Sequence, residues 1–60
     1  MKYYVIAKKY DGELGKQVKY IAGQFPTYHL AEMFRIAYNE YYKADAMIVH
    51  ESNLLQWYNN

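Results

Sequence analysis

The side chains able to do chemistry in this chain are few. There is one serine, Ser52, two histidines, His29 and His50, and no cysteine. His50 and Ser52 stand two apart, which on a strand points both to one side, as a nucleophile and its base require. No carboxylate is spaced to orient that imidazole and no turn offers an oxyanion hole, so nucleophilic catalysis is not expected. His29 and Glu32 lie three apart on a predicted helix and are near enough to share a metal, but two ligands do not make a site. The stretch Gly12-Glu13-Leu14-Gly15-Lys16 lacks the spacer and the Ser or Thr of a phosphate-binding loop. A general acid/base role for His29 or His50, as in a small nuclease, is the remaining enzymatic alternative. A chain of 60 residues is poorly able to wall off a pocket for it. The expectation is a non-enzyme without cofactor or metal.

Recognition chemistry is better supplied. Nine of the 60 residues are tyrosines, against two phenylalanines. Tyr packs its ring while keeping its hydroxyl wet, and it is enriched at the buried centres of binding surfaces. Two groups of residues stand out. On the predicted helix, Ile36 and Met33 lie beside His29 and Glu40 at one margin of the packing face, while Tyr28, Arg35, Asn39 and Tyr42 share the far side. Tyr28, Arg35, Ile36 and Tyr42 are the candidate anchors for a protein partner. The second group is Lys8, Lys9, Tyr10, Lys16 and Lys19, a basic-aromatic mix of the kind used on nucleic-acid strands. The net charge of +1 hides an asymmetry behind this group. Lys2, Lys8, Lys9, Lys16 and Lys19 against Asp11 and Glu13 leave residues 1–20 at +3; the rest of the chain carries −2. A pI near 7.9 and a single arginine, placed on the helix, argue against a dedicated nucleic-acid binder. Lysines on an exposed strand also serve to prevent edge-to-edge association.

These residues must be positioned by a small fold. Residues 2–10 read as a strand ending at Asp11-Gly12, and 16–24 as a second, with Val18, Tyr20 and Ala22 on one face. The two glycines between them suit a hairpin loop of about five residues. Thr27 is placed to cap a helix running to about Lys43, its packing face predicted as Leu30, Phe34, Ala37 and Tyr41, flanked by Met33 and Tyr38. Ala46–His50 is a third strand, and Ser52 is the expected cap of a short turn over Leu54, Leu55 and Trp57. The fold class is therefore α+β: ββαβ, with a three-stranded antiparallel sheet in order 2-1-3, one helix on one face and a short C-terminal turn. It makes a single domain of residues 1–60, near the lower limit for independent folding. The second sheet face, with Tyr4, Ile6 and Ile21, needs a cover: the tail with Trp57 and Tyr58, a second copy, or a foreign protein.

The apolar run at the start is too short for a signal peptide or a membrane span, so a cytoplasmic protein away from membranes is expected. The length, the ββαβ order and the entry Phe25-x-Thr27-x-x-x-Ala31-Glu32 into an amphipathic helix resemble small phage-encoded accessory and inhibitor proteins. The resemblance implies host cytoplasm, and binding to a host protein such as RNA polymerase, a nuclease or a defence effector. The leading expectation is a protein-binding inhibitor or modulator acting by steric occlusion. The alternative is a small nucleic-acid-binding accessory protein using the basic hairpin, and a homodimer is the third.

Overall fold

The computed structural model describes residues 2–58, apart from the side chain of Tyr58. Its elements are β1 (Tyr3–Asp11), β2 (Lys16–Phe25), α1 (Tyr28–Tyr42), β3 (Met47–His50), a 3-10 turn (Glu51–Asn53) and α2 (Leu54–Tyr58). The sheet has the order β2-β1-β3, with β1 antiparallel to both neighbours. Central placement of β1 follows from its sequence, apolar on both faces through residues 3–7.

The hairpin closes as its residues dictate. Asp11 Oδ1 accepts from the N–H groups of Glu13 (2.9 Å) and Leu14 (3.2 Å), an Asx-type turn. Gly15 then takes φ +69°, where a side chain would be strained, and donates its N–H to the Asp11 carbonyl. Farther along, the register slips by one residue between Val5 and Ile6, which face Gly23 and Ile21 and leave Ala22 as a bulge. Gly23 is small for a reason: a Cβ there would meet the Phe25 ring at 3.0 Å and Phe34 at 3.4 Å.

Val5, Ala7, Ala31 and Ala46 form the core between α1 and the sheet, ringed by Tyr3, Tyr20, Ala22, Phe25, Phe34, Tyr38 and Ile48. Three of its four buried members are small, so aromatic rings at half depth supply most of the packing. Ile6 and Val49 are buried as well, on the opposite face. There α2 packs against β3 and reaches across to Lys19, whose ammonium donates to the Trp57 carbonyl (3.0 Å) and lies 4.1 Å from the indole centre. The C-terminal tail therefore covers part of the second face.

Two local expectations are corrected. The turn after β3 is capped by His50, not Ser52: His50 Nδ1 accepts from the Ser52 N–H (3.2 Å). The packing face of α1 is rotated by roughly a quarter turn from the predicted one. Ala31, Phe34, Arg35, Tyr38 and Asn39 face the sheet, while Leu30, Met33, Ala37 and Tyr41 are exposed. Polar partners decide this rotation. Asn39 pairs with both backbone groups of Ala46, and the Tyr38 hydroxyl meets that of Tyr20; a count of apolar residues around the helix weighs neither. Among the described residues no helix is long and apolar enough to cross a membrane.

Candidate functional site

Helix α1 is fixed at both ends by its own sequence. The Thr27 hydroxyl accepts from the Leu30 N–H (3.3 Å). At the other end Lys43 takes the left-handed conformation (φ 54°) and closes the helix on the Asn39 carbonyl. Between the caps the helix has two unlike sides.

The side toward β3 is polar and jointed. Asn39 Oδ1 accepts from the Ala46 N–H (2.7 Å) and its amide donates to the Ala46 carbonyl (3.2 Å), tying α1 to the start of β3. Tyr28 packs edge-on to Tyr3 (5.7 Å, 82°), and Tyr3 in turn meets the His50 ring (5.0 Å). Tyr28 and Arg35 then wall a shallow groove of about 340 Å³ with Asp45, Ala46, Met47 and Ile48. This is the one place where a guanidinium, a phenol and a row of strand residues converge. The sequence grouped Tyr28, Arg35, Asn39 and Tyr42 on one side but turned it to solvent. In the structure Tyr28, Arg35 and Asn39 of that group lie toward β3, with Arg35 and Asn39 half-buried, while Tyr42 turns to the aromatic side.

The side toward β2 is aromatic. Phe25, Phe34, Tyr38, Tyr42 and Tyr41 run as a chain of ring contacts at centroid distances of 4.6–5.6 Å. The Tyr20–Tyr38 hydroxyl pair anchors it to the sheet. That hydrogen bond, with desolvation and the neighbouring phenols Tyr20 and Tyr42, pushes the Tyr38 hydroxyl up to about 12. Of the four candidate anchors, then, Tyr28 and Arg35 come together in the groove. Tyr42 stands apart in the aromatic chain, and Ile36 sits on the outer surface of the helix, 51 % exposed.

The basic hairpin is divided between the two faces of the sheet. Lys8 pairs with Lys19 and Tyr10 with Gln17 on the α2 face, whereas Lys9 and Lys16 alternate onto the other. Lys19 is engaged by Trp57, and Lys9 lies 5.5 Å over the Tyr20 ring. Lys8 does gather with Gln17, Lys43, Ala44, Asp45 and Met47 around a second hollow of about 560 Å³, beyond the end of β3. Lys43 was missed as a partner of the hairpin because only the crossover through α1 brings it there.

His50 and Ser52 stand as the sequence spacing required, Nδ1 to Oγ 2.8 Å, but the contact caps an exposed turn and borders neither hollow. Among the described residues no three His, Cys, Asp or Glu cluster as metal ligands. Family models, curated proteins and solved structures offer no match to this chain.

Proposed function

We propose that this chain is a non-catalytic protein-binding module that acts by steric occlusion. In this reading α1 and its groove with β3 are laid against a partner's working surface. The cytoplasmic setting and the role of an inhibitor or modulator of a host protein, as in small phage or mobile-element proteins, belong to the same proposal.

One observation carries it. The described residues include 11 large apolar side chains classed as exposed, and six of these lie on α1: Tyr28, Leu30, Met33, Ile36, Tyr41 and Tyr42. Against them α1 buries only Ala31. A helix with six large apolar side chains exposed has the composition of a recognition element, read by a partner as anchors three and four residues apart. Arg35, half-buried, and Tyr28 add an arginine and an aromatic ring lining the same groove, residue types enriched in binding anchors. The divided placement of the lysines weighs against the nucleic-acid alternative, which wants its cations along one groove.

The test is capture from a lysate of the native host with the tagged protein, half of it nuclease-treated, repeated with Arg35→Ala. A single stoichiometric protein that survives nuclease and is depleted at least tenfold by Arg35→Ala is the expected result. Capture that vanishes with nuclease moves the function to nucleic acid. Capture indifferent to Arg35→Ala removes the groove from the binding surface.

A further inference from the structure

The outer stripe of α1, Leu30, Met33, Ala37 and Tyr41, is separate from the groove. At 100° per residue these four fall within roughly 80° of one another, on the β2-ward outer side, about opposite Tyr28, Arg35 and Asn39. Leu30 is 44 % exposed, Met33 57 % and Tyr41 80 %. Ten of the 15 residues of α1 are apolar or aromatic, and all but Ile36 fall on an arc that runs from Met33 past Leu30, Phe34 and Tyr38 to Tyr28. That arc is wider than the sheet covers, and its Met33–Leu30 end is left in water.

The geometry points to a second copy of this chain as the cover for that end, docked antiparallel through the two α1 stripes about a two-fold axis. The argument is self-complementarity. In a two-fold contact residue i of one copy meets j of the other and j meets i. An antiparallel axis near Arg35 sets Met33 level with Ala37 of the second copy and brings Leu30 and Tyr41 within one residue's rise, about 1.5 Å, of each other. Ala37 is small and admits the methionine. The same axis brings His29 within one residue's rise of Glu40 of the second copy, twice, along one margin of the stripe. A parallel pairing would instead put His29 on His29 and Glu40 on Glu40, and would align the helix dipoles. Charge and volume both select the antiparallel arrangement. The assembly is sheet, helix, helix, sheet; it takes up Leu30, Met33 and Tyr41 of the exposed α1 side chains and leaves the Tyr28–Arg35 groove of each copy open to the partner proposed above.

The contact is small. A helix of 15 residues is about 22 Å long and roughly 10 Å wide, which falls below the usual area for a permanent dimer. The association expected is therefore weak and visible only at high concentration.

Sedimentation velocity over about 10 μM to 1 mM tests this. The expected result is a mass rising from 7.2 kDa toward twice that value. Ala37→Glu, at an exposed position, should raise the dissociation constant at least tenfold while its far-ultraviolet circular dichroism and melting midpoint stay put. His29→Glu and Glu40→Lys should each weaken the dimer several-fold, and the double variant H29E/E40K should restore it to within about threefold of the parent. A chain that stays at 7.2 kDa to 1 mM overturns the proposal, as does association untouched by Ala37→Glu. Loss of host-protein capture on Ala37→Glu in a monomeric chain gives the stripe to a foreign partner and also overturns it. Failure of the double variant to recover overturns the antiparallel pairing.

Discussion

The two faces of the sheet are covered in different ways. Over one, a helix of 15 residues closes a core with Val5, Ala7 and Ala31 nearly inaccessible and is held on both flanks by polar contacts, Asn39 to Ala46 and Tyr38 to Tyr20. Over the other, α2 has five residues. It packs against β3; Ile6 and Val49 are buried on that face, but Ile21 and Met47, the two cross-strand neighbours of Ile6, are 43 % and 50 % exposed. The difference teaches that cover and orientation are separate jobs. A short apolar cap suffices to dry one central side chain. Fixing the direction of a long helix takes paired polar groups at its edges, and one of these pairs, Asn39 with Ala46, ties α1 to the strand whose start lines the groove.

The largest expected effect comes from the thinly covered face. Ile6 is 1 % exposed under the short α2 cap, with little surrounding structure to collapse into a void. Ile6→Ala should cost about 2–4 kcal/mol, most of the stability a 60-residue domain has, and leave the chain largely unfolded at 25 °C by circular dichroism. Ile6→Val should cost about 1 kcal/mol in urea unfolding, and less in a Trp57→Ala background, where the cap is already loosened. Val5→Ala, under α1, should cost the same with or without Trp57. If Ile6→Val and Trp57→Ala add without coupling, α2 does not seal this face and the comparison fails.

What could be read from the sequence follows the same division. The hairpin, the Thr27 cap, the strand order and the outward turn of Ile21 were legible because they rest on local signals: paired glycines, a hydroxyl before a helix, alternation of period two. The rotation of α1 was not. The predicted stripe of Leu30, Phe34, Ala37 and Tyr41 is the most apolar arc of the helix, yet three of its four members face water. The bulge at Ala22 hid too, since alternation has no term for one extra residue. For the candidate site, the sequence picked out Tyr28 and Arg35 by type and placed them on a common side. It placed Tyr42 on that side too and Ile36 at a margin of the helix, but neither lines the groove, and Asp45 to Ile48 could be joined to Tyr28 and Arg35 only once β3 was docked.

On the flank toward β3, Asn39→Ala is the next effect in size. It strips partners from the half-buried Ala46 N–H and carbonyl, at about 1–2 kcal/mol. Asn39→Asp keeps the oxygen that accepts from the Ala46 N–H at 2.7 Å and should recover part of that loss. The groove reports on the same joint. With Asn39 gone, a partner that depends on Arg35 should be captured less well at a temperature where the chain is still folded. Unchanged stability in Asn39→Ala would show that α1 holds its direction through packing alone.

The smallest effect belongs to the flank toward β2, and it is read by titration. The hydrogen bond from Tyr20 is the largest cause holding the Tyr38 hydroxyl at about 12, above its ordinary 10.0. Folding therefore favours the neutral phenol. This contribution is complete below pH 10, where the unfolded chain also keeps its proton, and it is lost as pH climbs through about 12. Ultraviolet difference titration of the folded chain should show a late tyrosinate step near pH 12. Tyr20→Phe keeps the ring against the core and removes the hydroxyl, so that step should move down toward 10, and the fall in melting midpoint between pH 10 and 12 should become shallower. A late step that survives Tyr20→Phe would place its cause in desolvation within the aromatic chain. The β2 flank of α1 would then be held by packing alone.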